Sequence, residues 1–183
     1  PSNKGIAAPK MAVEVDIYPN NTDASDPTEV NSRNDNRSNA NHVAVVYWGD
    51  PSTLYDDNVH GAGDNPRNPT GTSSGYYEKI KQSGLPNWLE DGDEHTLRLE
   101  IVRATGASAK GLYTVKVWID PTGTGKDDVT ADYTAESPQA QDSVTLAATD
   151  HAKLATVYFG WTEGTGGSNQ SVAIHDFALD FRR

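Results

Sequence analysis

Cysteine is absent from the 183 residues. That excludes a thiolate nucleophile, a thiolate zinc site and any disulfide staple. Basic residues are scarce: 15 Lys and Arg stand against 26 Asp and Glu, a net charge of −11. Phosphate backbones are gripped by clustered cations, so nucleic acid is not an expected partner. Long apolar runs are also missing. None approaches the roughly 18 residues of a membrane helix, so no membrane span is expected. Helix signals are poor as well, because 16 Gly and 10 Pro interrupt the chain every few residues. The chain opens at Pro1 without a Met or a signal sequence, which reads as a processed product or a piece of a longer polypeptide.

What is present is alternation with a period of two, the signature of strands. Residues 11–18 put Met11, Val13, Val15 and Ile17 on one face and Ala12, Glu14, Asp16 and Tyr18 on the other. Residues 42–48 form a nearly continuous apolar run, as in a central strand buried on both sides. Residues 95–103 set Leu97, Leu99 and Ile101 against Thr96, Arg98 and Glu100. Residues 112–120 set Tyr113, Val115, Val117 and Ile119 against Thr114, Lys116 and Trp118. Residues 144–146, 157–162 and 172–181 complete the set. Only residues 77–82 and 149–154 read as a helical turn or two. Long polar loops at 20–41 and 50–74 intervene, and loops of that length inside a compact domain are usually functional or ordered by a ligand. The expectation is one all-β domain over 1–183, built as two packed antiparallel sheets.

The first strand carries the sharpest chemical signal. Glu14 and Asp16 are two apart, so they share a face with a separation of about 6.5–7 Å along the strand. Two carboxylates that close repel unless one is protonated or a cation lies between them. The next loop adds oxygen donors in Asn20, Asn21, Asp23, Ser25 and Asp26, and His42 opens the following strand. If the two strands pair, His42 comes near the carboxylates. Oxygen donors suit Ca²⁺, and an added imidazole suits a transition ion such as Mn²⁺. By spacing alone an exposed strand face, where acidic alternation is common, fits the pair slightly better than a metal site does.

The stretch MAVEVDIYPN at 11–20, the Asp26-Pro27 pair and the segment NHVAV at 41–45 together resemble the metal-binding region of legume-type (L-type) lectins. FGWTEGTG at 159–166 is similar to a loop segment of the same family, and residues 174–181 to its final strand. The hairpin of residues 91–103 and 112–120 is similar to its back sheet. The resemblance implies a concanavalin-like jelly-roll sandwich that binds carbohydrate without catalysis. It implies that Glu14, Asp16, Asp26 and His42 hold a transition ion, and that Asp16, the Tyr18 carbonyl, Asn20 and Asp26 hold Ca²⁺. Asn20 with Gly164, Thr165, Gly166 and Gly167 would line the sugar pocket. A plain hairpin turn is the alternative for that glycine-rich loop.

Three departures accompany the resemblance. The 20–41 loop is longer than the family's, which leaves Asp23 and Asp35 as alternatives to Asp26. The platform aromatic has no matched counterpart; Tyr47, Trp48, Tyr55 and Trp161 are candidates. The family's upstream half, with its sugar-gripping aspartate, has no equivalent before Met11. A preceding segment or another polypeptide is therefore expected to complete the sandwich. The alternative function is a structural subunit of a bacterial surface filament or pilus, with the metal only stiffening a loop. Either would act outside the cell or at its surface, in recognition or adhesion. A related family of sandwich glycoside hydrolases carries E-x-D-x-x-E, but Ile17, Tyr18 and Pro19 follow Asp16 here, so the acid/base partner is missing and no enzymatic activity is expected. Trp88 and Trp118 read as packing residues. His60, His95, His151 and His175 lack ligand spacing, and DPTGTGKDD at 120–128 reads as a turn rather than a calcium loop.

Overall fold

The computed structural model describes residues 10–16, 42–48, 76–78, 88–106, 111–145, 157–161 and 171–181. Among the described residues six strands appear in chain order: β1 (Lys10–Asp16), β2 (His42–Trp48), β3 (Tyr76–Glu78), β4 (Leu97–Arg103), β5 (Leu112–Ile119) and β6 (Ala140–Thr145). They form two three-stranded antiparallel sheets, ordered β1-β2-β3 and β4-β5-β6. A single 3₁₀ turn at Trp88–Glu90 is the one helical element among the described residues.

Alternation places the core. Val43 and Val45 of β2 pack with Val115, Val117 and Ile119 of β5 and Ala140 of β6 in one apolar cluster. Met11 and Val13 of β1, Leu89 and Leu97 add to its margin. The register explains the grouping. Val13 pairs with Val45 and Val15 with Val43, while Leu97 pairs with Ile119 and Leu99 with Val117. Directly opposed residues share a face, so each sheet turns one β-branched face toward the other. β2 is central in its sheet, as its unbroken apolar run anticipates.

The second sheet is also covered on its outer face. Trp118 is 1% exposed, and Arg98 and Glu100 are buried although they alternate with the core-facing residues. The connection between β5 and β6 folds back over them. Gly123 comes so close to Tyr133 and Ala135 that a Cβ there would lie 2.5 Å from the Ala135 Cβ.

Three expectations change. Tyr77 and Glu78 belong to β3 rather than to a helical turn. Two adjacent aromatics favour a pleated, half-buried surface, and β2 offers them a ladder. β6 starts at Ala140, earlier than 144, because Gln139 extends the pairing: its N–H donates to Val117 O at 2.9 Å, and its side chain bridges the N–H and C=O of Ile119. Of the segments 157–162 and 172–181, which read as strands, the described residues 157–161 and 172–181 pair with no strand among the described residues. Residues 17–18, 79–82, 146, 149–154 and 162 lie outside the described residues, as do the long loops.

Candidate functional site

β1 and β2 bring the sequence's acidic pair together with its histidine. Their antiparallel register sets Asp16 directly opposite His42 and Glu14 opposite Ala44. Positions 14, 16 and 42 therefore belong to the sheet face opposite the one that carries Val13, Val15 and Val43. β3 extends the row, since His42 is also opposite Glu78. Asp16, His42 and Glu78 thus occupy one line across three strands. The sequence reading missed Glu78, because its neighbourhood looked like a helical turn. Glu14 is partly buried, and its Oε2 atom is removed from solvent. Tyr18, Asn20 and Asp26, and Gly164, Thr165, Gly166 and Gly167 of the glycine loop, lie outside the described residues. Among the described residues, no group of three or more Asp, Glu or His side chains is placed to hold a metal ion.

A second polar constellation is fully formed, and it organises the loop between β5 and β6. Arg98 projects from β4 beneath that loop. Its Nη1 donates to the carbonyls of Gly125 (3.0 Å), Lys126 (2.9 Å) and Asp128 (3.0 Å), and Nη2 donates to the Ala131 carbonyl (2.7 Å). Nε and Nη2 both donate to Glu100 Oε1, at 3.2 and 2.8 Å. The same oxygen accepts the Tyr133 N–H at 2.7 Å. The guanidinium lies 5.0 Å from the Tyr133 ring centroid, a cation–π distance. Four carbonyls converging on one cation is the arrangement expected of a calcium loop. Here the cation at their centre is the Arg98 side chain. Gly125 permits the turn with φ +83°.

The loop's far arm is held by aromatics. Trp118 Nε1 donates to Glu136 O at 3.0 Å, and its ring meets Tyr133 edge-on at 5.4 Å. The Tyr133 hydroxyl accepts the Gly123 N–H at 2.9 Å. Glu136 Oε1 accepts both the N–H and the hydroxyl of Thr122, at 3.0 and 2.7 Å. These bonds hold its carboxyl below the usual carboxylate range. Trp118 is a packing residue, as read. Nothing in the sequence pattern marks Arg98 and Glu100 as buried.

His95 ties the loop's root to the 3₁₀ turn. Its Nδ1 is 2.8 Å from Asp120 Oδ2 and its Nε2 is 3.2 Å from Asp91 Oδ1. Asp120 takes φ +50°, and its other oxygen accepts the Thr96 N–H at 2.8 Å. Burial alone would lower the His95 pKa. The hydrogen bonds and charges of Asp120 and Asp91 outweigh it, and the net pKa is raised above the usual 6.5. Asp91 is lowered, chiefly by the Asp93 N–H it accepts. The raised imidazole pKa gives a stabilisation that is complete below the unfolded value near 6.5. It is lost as pH climbs through the higher folded value. The Asp91 contribution is present above its unfolded value and is lost in acid. Urea unfolding of the wild type and of His95→Gln should therefore differ most near pH 5.5 and least near pH 8.5. An equal difference at both pH values would contradict a charged His95.

Comparison with family models, with curated proteins and with solved structures finds no match.

Proposed function

We propose that the chain is a metal-dependent carbohydrate-binding domain with a concanavalin-like jelly-roll fold, acting outside the cell in recognition or adhesion. The observation that carries the proposal is the register of β1 on β2, which sets Asp16 opposite His42 with Glu14 two residues along the same strand. A mixed carboxylate and imidazole donor set at one sheet position fits a divalent cation, with carboxylates for Ca²⁺ and the imidazole for a transition ion such as Mn²⁺. The withdrawal of Glu14 Oε2 from solvent fits the same purpose. Glu14, Asp16, Asp26 and His42 would hold the transition ion, and Asp16, Tyr18, Asn20 and Asp26 the Ca²⁺. The bound ions would neutralise the carboxylates and fix the loop that presents Asn20 to a sugar hydroxyl. Gly164, Thr165, Gly166 and Gly167 would let backbone amides approach the same sugar. Hydrolysis is not part of the proposal, since no second acid follows Asp16 at the needed spacing.

The test is a glycan array in Ca²⁺ and Mn²⁺, repeated in EDTA, with titration calorimetry of each metal. Binding should vanish in EDTA and return with metal. Asp16→Ala should weaken metal binding by at least 10–100-fold, roughly what even second-shell changes cost at metal sites. Unchanged metal content in that variant would sink the assignment. The second reading, a structural subunit of a bacterial surface filament, is favoured by the uncovered apolar residues of 157–161 and 171–181. Metal uptake with no glycan binding in either buffer would support it.

A further inference from the structure

Asp142 is the one charged residue of β6, and the ladder sets it on the inner face of its sheet. It pairs with Val115, between the Ala140–Val117 and Val144–Tyr113 pairs. Val115, Val117 and Ala140 belong to the apolar cluster between the sheets. Directly opposed residues share a face, so Asp142 stands at a core-facing position. Gln141 and Ser143 take the outer face, where the Ser143 and Thr114 hydroxyls are 3.1 Å apart. β6 packs against β2 and β3 of the other sheet, and Asp142 is partly buried there.

Little compensates a charge at this place. Asp142 Oδ1 accepts the Ser143 N–H at 2.8 Å, a bond to its own strand neighbour, and among the described residues no cation pairs with it. The positions that share the facing side of the other sheet are uncharged: Val43, Val45 and Tyr47 on β2, Tyr77 on β3, and Met11, Val13 and Val15 on β1. On β5, Tyr113 lies diagonally across from Asp142. The tyrosines ionise near 10, far above any carboxylate. Arg103 is the other charged residue on the inner face of the second sheet. It sits at the exposed end of β4, with β5 in between. Burial raises the Asp142 pKa above the usual carboxylate value, and the Ser143 N–H offsets only part of the rise. A carboxylate withdrawn from water without a cation costs free energy, and the neutral acid costs far less.

We infer that Asp142 is a pH-operated wedge between the two sheets. Ionised, it must keep its water, and the margin where β6 meets β2 and β3 stays loose and hydrated. Protonated, it makes no such demand, and the margin packs more tightly. The raised pKa gives a stabilisation that is complete below the unfolded value near 3.9 and is lost as pH climbs through the higher folded value. Acid therefore tightens this margin, while it weakens the contribution of Asp91.

The test compares the full chain with two variants of equal charge. Asp142→Asn removes the wedge and keeps an acceptor for the Ser143 N–H. Asp127→Asn removes one charge from an exposed loop position. In urea at pH 7 the midpoint of Asp142→Asn should lie above that of the unmodified chain. At pH 4.0 the gap should shrink to less than about half, because the native carboxyl is then largely neutral. Asp127→Asn should show no such gain. No gap at pH 7, equal gaps at both pH values, or the same gain in Asp127→Asn would overturn the wedge. Carbon-detected NMR titration of the Asp142 carboxyl in the unmodified chain reads the group without a variant. Its midpoint should lie above 3.9, and a midpoint at or below that value would equally overturn it. Amide exchange at pH 7 locates the effect. Asp142→Asn should slow exchange at Val43 and Val45 as well as at Val115 and Val117. Slowing that spares β2 would show that the charge does not act between the sheets.

Discussion

Arg98→Met should lower unfolding free energy by about 3–5 kcal/mol, the usual cost of removing one partner of a buried ion pair. Glu100 explains the size. Its Oε1 would keep only the Tyr133 N–H, and its Oε2 is already buried without a hydrogen bond. The carboxyl group would be left beneath a roof with no cation. Four carbonyls, those of Gly125, Lys126, Asp128 and Ala131, would lose their common donor. Arg98→Lys should be nearly as damaging, because one ammonium cannot reproduce the planar fork that serves both a carboxylate and a ring of carbonyls. The double variant Arg98→Met/Glu100→Leu should recover much of the loss, since replacing both partners removes the uncompensated charge. Urea titration of the four proteins decides the matter. A double variant no more stable than Arg98→Met would mean that the carbonyl bonds, and not the ion pair, carry the energy.

Trp118→Ala should cost about 3–5 kcal/mol, as large-to-small changes of buried aromatics do. Trp118 is the floor of the loop, on the sheet face opposite the apolar cluster of Val115 and Val117. Removing it takes the edge contact from Tyr133 and the donor from Glu136 O. Trp118→Phe separates the two effects. The ring contact persists, and the unpaired carbonyl alone should cost about 1–3 kcal/mol. Hydrogen exchange should show the loss concentrated in residues 120–139 for Phe and spread through β4–β6 for Ala. A uniform change in both variants would show that loop and sheet unfold as one unit.

The strands that alternate most strictly were legible. Residues 95–103 and 112–120 predict the β4–β5 hairpin with its core side, and residues 11–18 predict the face that Met11 and Val13 bury. The conditional approach of His42 to Asp16 became a definite register once β1 paired with β2. The roof over the outer face was not legible. In a period-two pattern Arg98 and Glu100 look like solvent-facing residues, and the loop's Gly, Thr and Asp content looks solvated. What buries them is a set of backbone carbonyls, which every residue carries and no side-chain pattern displays. β3 was missed for a related reason: three residues are too few to show a period, and only β2 tells Tyr76–Glu78 which state to take. In residues 172–181 the alternation was plain, but alternation does not name a partner.

A guanidinium at the centre of the 120–139 loop is tethered to its site by the main chain. It cannot be chelated, diluted or exchanged. The cation that gathers these carbonyls is therefore not drawn from the surroundings. If the proposed site on the first strand takes up calcium, that end would respond to the ion while the Arg98 guanidinium stays in place at the other. Washing with a chelator would soften the first and leave the second as a fixed reference against which the change can be read.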